Sequence, residues 1–187
     1  ERLWNILTNR VWQNGLTKTE RQAHSAYTEV AFLTPFLGNH VKINASFSYD
    51  NEDGVLWPNN YLVTESKYNI VADSKLTYKV SSHDRIYCAE HYEVAISTTG
   101  TNPNDFVTIY EETLSAGEAD YEGSLQGQWF DREIDLSVFA GQKVYIAFRH
   151  CLCSNQYFMK LDNITLTSDS TPEDPETPEY AQSFSDD

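Results

Sequence analysis

The chain has no run approaching the roughly 20 consecutive apolar residues that a membrane span requires. Its first residues, ERLWNILTNRVWQNG, also lack the charged-then-apolar order of a secretory signal. A processed or excised fragment fits both absences. Basic residues are scarce, with 13 Lys and Arg against 28 Asp and Glu, a formal charge of −15 over 187 residues. Such a surface repels phosphate backbones and anionic lipid, so neither nucleic acid nor membrane insertion is expected, whereas divalent cations suit it. Cysteine is limited to Cys88, Cys151 and Cys153, which leaves at least one thiol unpaired. Cys151 and Cys153, two apart on an expected strand, point to the same face and are poorly placed to pair with each other. Two readings stay open: Cys88 bonded to one of them in an oxidising compartment, or buried free thiols. There is also no G-x-S-x-G, no H-E-x-x-H, no Gly-rich phosphate loop and no C-x-x-C pair.

What is abundant is aromatic: 12 Tyr, 9 Phe and 4 Trp, a composition that suits pleated surfaces better than helical bundles. Residues 1–37 read as an irregular or partly helical segment, because LWNILTNRVW places its apolar residues at mixed spacing and QNGLTKTERQ is a polar loop. From Val41 the pattern changes. HVKINASFSY alternates, with Val41, Ile43, Ala45 and Phe47 on one face of a half-buried strand, and DNEDG is the turn behind it. YLVTE, KLTYKVSS, YEVAISTT, FVTIYEETL, WFDREIDL, KVYIAFRH and YFMKLDNITLTS follow at regular intervals between turn residues. Strands at that spacing without long helices favour antiparallel pairing, so the expected fold is all-β, a jelly-roll sandwich of two antiparallel sheets over residues 38–168. DSTPEDPETPE, residues 169–179, has nothing to bury and reads as an extended linker. YAQSFSDD, residues 180–187, reads as the start of a following module or as a tail.

Three strings carry a resemblance. NYLVTE (60–65), EHYEVAISTTG (90–100) and VYIAFRH with Cys153, Leu161 and Asp162 are similar, in that order, to the cleaved adhesin domains of gingipains and hemagglutinins from Porphyromonas and related Bacteroidetes. SYDNEDG is a weaker match, and together they cover about two thirds of the chain. Glu65 stands where the family has Pro, and Asn163 where it has an acid. The family's opening Phe-Glu strand and Asp-Ala-Asp-Gly-Asp-Gly run have no clean copy before Val41, while YAQSF is similar to its Ser-Phe-Glu-Asn-Gly opening. The resemblance implies a non-catalytic surface adhesin module, one of several in a secreted or cell-surface bacterial protein. It would bind host or extracellular-matrix protein, with glycans a further class, and lie beside neighbouring adhesin modules of the same polypeptide. The alternative is a carbohydrate-binding module of a secreted hydrolase, for which the same scaffold serves.

The family also implies structural calcium, which needs six to eight oxygen ligands. Asp162 is the first candidate, at the family's acidic position; the competing reading is a carboxylate capping backbone donors at a strand end. Asp84 and Glu90 bracket a loop that matches an acid-bearing connection of the family, or form an ordinary acidic surface loop. Asp53, with Asp50, Glu52 and Gly54, lacks EF-hand spacing and otherwise reads as a charged turn. His91 and His150 sit on strands and read as histidines satisfied by hydrogen bonds rather than as catalysts. Trp57, Tyr87 and Tyr121, in turn and polar segments, are the candidate ligand contacts, whereas Trp129 reads as core.

Overall fold

The structure, a computed structural model, describes residues 4–7, 27–33, 41–51, 53–64 and 66–167. Among them the strands run in chain order β1 (Trp4–Leu7), β2 (Tyr27–Leu33), β3 (Val41–Phe47), β4 (Tyr49–Asp50), β5 (Gly54–Val55), β6 (Asn60–Thr64) and β7 (Tyr68–Asn69). They continue as β8 (Lys75–Ser82), β9 (His91–Ser97), β10 (Val107–Thr113), β11 (Phe130–Asp135), β12 (Lys143–His150) and β13 (Phe158–Thr167). One sheet has the order β1-β6-β12-β9-β10, with β7 also on β12; the other has the order β11-β8-β13-β3-β2. Every pairing is antiparallel. Strand β12 enters between β6 and β9, and β13 between β8 and β3, so neighbours in space are distant in sequence, as a jelly roll requires.

The eight strands that alternation marks from Val41 onward are all present, and the inward parity of all but β3 supplies the core. Leu76, Tyr78 and Val80 from β8 meet Tyr92 and Val94 from β9, Ile146 and Phe148 from β12, and Met159 and Leu161 from β13. Removing that apolar area from water is the main favourable term in folding such a sandwich.

The segment read as irregular or partly helical contains two strands, β1 against β6 and β2 against β3. Their sequences, WNIL and YTEVAFL, are apolar at both parities toward their ends, so no clean alternation marks them. The rest of residues 1–37, the linker 169–179 and the segment 180–187 lie outside the described residues.

Strand β3 differs from its apolar pattern. Opposed residues share a face, and the register sets Ala45 against Lys160 and Phe47 against Phe158, but Ser46 against the inward Met159. Ala45 and Phe47 therefore cover the outer face, where Phe47 packs on Phe158 and Tyr157, and the interior receives a hydroxyl. Trp129 is not core either. It is half-buried on that outer face, with the Lys160 ammonium 4.9 Å from its ring centroid.

Candidate functional site

Along β12 the inward parity runs Val144, Ile146, Phe148 and then His150, so an imidazole stands where a fourth apolar side chain is due. It is buried at one end of the interior. His150 Nδ1 lies 2.6 Å from Ser46 Oγ, which accepts a hydrogen bond of 2.8 Å from Asn60 Nδ2. His150 Nε2 lies 2.8 Å from Glu90 Oε2, and the other carboxylate oxygen accepts from Ser48 Oγ at 2.8 Å. Cys153 Sγ completes the group, 3.1 Å from His150 Nε2 and 3.3 Å from Glu90 Oε2. Main-chain bonds hold Glu90, Ser48 and the residue after His150. Leu114 N donates to Glu90 O, Cys151 N to His91 O and Asn155 N to Ser48 O.

The order Ser46, His150, Glu90 has the connectivity of an acyl-transfer triad, but its surroundings deny it that chemistry. All three residues are buried, and among the described residues the cavity bordered by Ser46, Asn60 and His150 is about 20 Å³, room for one water and no substrate. Burial pushes the Cys153 thiol up, and Glu90 beside it pushes further, so the sulfur stays protonated near neutrality and is no nucleophile. His150 is thus a hydrogen-bonded structural histidine, in line with its residue context.

A second group lies on the opposite face of the same strands, where His91, Glu93 and Cys151 bring ligand-type atoms within 4.8 Å of one another. Arg149 dominates it, its Nη1 3.2 Å from Glu93 Oε2 and its guanidinium 5.4 Å from the Tyr61 ring centroid. Burial pushes the Cys151 thiol up to about 12, with Glu93 adding to the shift. Strand β12 ends at His150 and Leu152 adopts φ +54°, so the chain turns between the two cysteines. This corrects the expectation of one shared face: Cys151 joins the outer group and Cys153 the inner one. Cys88, Cys151 and Cys153 are all free thiols.

The acids expected to bind calcium do not converge. Asp162 accepts from Asn163 N at 2.7 Å beside a β-bulge of β13. Asp84 Oδ1 caps Ile86 N at 2.6 Å and Tyr87 N at 2.9 Å, and Asp53 is buried in the β4–β5 turn, its N–H donating to Asp50 Oδ1. Glu90 sits inside with imidazole and thiol partners. Among the described residues, no group of three or more His, Cys, Asp or Glu able to hold a metal contains Asp162, Asp84 or Asp53. The four therefore do not fit one calcium cage as a set, and an ion held by any of them would take its other oxygens from carbonyls and water.

The three aromatic candidates are all exposed. Trp57, between β5 and β6, is 51 % exposed, Tyr87 52 % and Tyr121 68 %. Tyr87 and Tyr121 stand on two loops, 83–90 and 114–128, that Arg85 locks together: its guanidinium donates to the carbonyls of Ala116, Gly117 and Glu118 at 3.2, 2.9 and 2.9 Å. Arg85 N also donates to Leu125 O, and Gly127 N to His83 O. The same loops expose Ile86 (74 %) and Leu125 (69 %). Composition marks such residues as loop aromatics, but their shared brace depends on Arg85, for which the sequence carries no local signal.

With His150 and Cys153 turned inward and its loop aromatics in solvent, the molecule falls in the class of antiparallel jelly-roll modules. It belongs to the cleaved adhesin family, since the Cleaved Adhesin Domain matches residues 21–166. The chain is 36 % identical over 127 residues to Hemagglutinin A of Porphyromonas gingivalis, covering 64 % of this chain and 6 % of that protein. It is 35 % identical over 135 residues to Lys-gingipain W83 of Porphyromonas gingivalis, covering 68 % and 8 %. The chain thus spans under a tenth of either relative. Among solved structures it is similar to the K1 cleaved adhesin domain of Lys-gingipain from Porphyromonas gingivalis W83, with TM-score 0.70, 27 % identity and coverage of 91 % of this chain and 93 % of that one. Among the described residues no helix is long and apolar enough to cross a membrane.

Proposed function

We propose that this chain is a non-catalytic adhesin module of a secreted or cell-surface bacterial protein, beside other modules of its kind, and that it binds host or extracellular-matrix protein. Family membership supports the adhesin class. The observation that carries the choice of surface is the Arg85-braced loop pair, which holds Ile86, Tyr87, Tyr121 and Leu125 in water at a cost that contact with a partner would offset. Tyr side chains supply large contact area with two rotatable bonds to freeze and a hydroxyl to orient, which suits a protein surface. Structural calcium belongs to the same reading, with Asp162 as its first carboxylate and Asp84 as the next. The alternative, a carbohydrate-binding module, rests on the same exposed tyrosines. A glycan array separates the two: the adhesin reading expects no saturable glycan ligand, and strong binding to one defined glycan together with no protein ligand overturns it.

A further inference from the structure

We propose that Glu90, His150 and Cys153 form a binding site for a borderline-soft divalent cation of the zinc type, independent of the loop surface. The donor set points to that chemistry. Thiolate, imidazole and carboxylate are the three protein ligands of zinc, whereas calcium and magnesium take oxygen alone. The Nε2, Oε2 and Sγ atoms form a triangle with sides of 2.8, 3.1 and 3.3 Å. Around a tetrahedral zinc ion the sides would be about 3.4–3.6 Å, so the triangle opens by about 0.3–0.6 Å, most on the side between Nε2 and Oε2. Glu90 and Cys153 are the members able to give, because Glu90 precedes β9, Cys153 follows the turn at Leu152, and neither is in a strand.

The outer ring of partners is also in place. A ligating histidine is oriented by a hydrogen bond at its other nitrogen, and a ligating carboxylate by one at its other oxygen. Ser46 Oγ stands 2.6 Å from His150 Nδ1, and Ser48 Oγ donates to Glu90 Oε1 at 2.8 Å. Asn60 Oδ1, buried and without a partner among the described residues, lies on the amide that already bonds Ser46. Turned over, that amide accepts the Ser46 hydroxyl hydrogen, which leaves Ser46 Oγ to accept Nδ1–H and the Nε2 lone pair free for the ion. Binding then requires the imidazole proton at Nδ1 and releases the Cys153 thiol proton to solvent. Three protein ligands leave the fourth position to water. The outer group of His91, Glu93 and Cys151 is a poorer candidate, since the Arg149 cation already occupies Glu93.

The test uses the full chain, reduced, with cobalt(II) as the spectroscopic probe, added both to the folded protein and during refolding so that slow entry into a buried site is not mistaken for no site. The proposal expects one equivalent to produce a thiolate-to-cobalt charge-transfer band that zinc displaces. Cys153→Ser, nearly isosteric, should abolish the band while its circular dichroism stays that of the wild type, and Cys151→Ser should keep it. Ser46→Ala should weaken cobalt affinity about 10- to 100-fold, as loss of an orienting partner does. Absence of the band in folded wild-type protein under both loading regimes overturns the proposal, as does a band that survives Cys153→Ser.

Discussion

Glu112 on β10 and Arg132 on β11 clasp the edge where the two sheets end. Arg132 Nη2 lies 2.5 Å from Glu112 Oε1 and Nε 2.9 Å from Oε2, a two-pronged pairing between the last strand of one sheet and the first of the other. Tyr92 and Tyr110 hydroxyls donate to the same Oε2 at 2.8 and 3.1 Å. The carboxylate is thus the common acceptor of three strands.

Burial alone would raise the Glu112 pKa, but the hydrogen bonds from Arg132, Tyr92 and Tyr110 and the Arg132 charge outweigh it, leaving the group below its ordinary value of 4.5. A carboxyl depressed in the folded state adds stability that is complete above its ordinary value and lost as pH falls through the folded one. Stability should therefore decline on the acid side of pH 4.5. Arg132→Ala should cost about 2 kcal/mol near neutrality, between an exposed pair and a fully buried one, and should flatten that acid limb. Urea melts of both proteins from pH 3 to 7 check this, and an unchanged acid slope in the variant contradicts it.

Arg85→Ala removes a guanidinium that serves three carbonyls. We expect a loss of about 1.5–3 kcal/mol, the usual range for bonds to a charged donor. The effect should be local, with hydrogen exchange quickening over residues 114–128 while β8, β12 and β13 keep their protection. Uniform acceleration across the sandwich would show that the brace is not confined to the loops.

Gly127 is required for space rather than for backbone freedom. A Cβ there would stand 2.4 Å from both the Ser82 carbonyl oxygen and its Oγ, and main-chain atoms of β8 cannot yield cheaply. Gly127→Ala should destabilise by about 1–3 kcal/mol, the range for overpacking. A midpoint of thermal unfolding within error of the wild type is the contrary result.

The strands from Val41 on were legible because period-2 alternation survives wherever one face of a sheet is dry and the other wet. The same rule misleads at β3. Ala45 and Phe47 share an apolar parity, yet an aromatic cluster on the outer face takes them, and Ser46 turns inward to meet His150. Glu90 and His150 are 60 residues apart and Ser46 and His150 are 104 apart, so no spacing rule assembles the buried polar group. One signal was available: His150 continues the inward parity of Val144, Ile146 and Phe148, and a polar residue there must find buried partners. Trp57, Tyr87 and Tyr121 were legible as loop aromatics, and all three are exposed.

Calcium should raise the midpoint of thermal unfolding, because an ion held by Asp162 and neighbouring carbonyls binds the folded chain and not the unfolded one. At free calcium about 100-fold above its dissociation constant the gain is about 2.7 kcal/mol. Asp162→Ala should remove the shift. Identical melting with calcium and with a calcium-selective chelator would refute this part of the proposal.

The central claim is that the braced tyrosine loops form the contact surface of an adhesin. Its most direct measurement is surface plasmon resonance of the chain over immobilised extracellular-matrix proteins, with Tyr87→Ala and Tyr121→Ala in parallel. Saturable binding to at least one matrix protein, weakened about tenfold or more by the double variant while its unfolding curve is unchanged, is the expected result and corresponds to about 1.4 kcal/mol of lost contact. Wild-type binding that the double variant retains in full, or no binding to any matrix protein, would contradict the account.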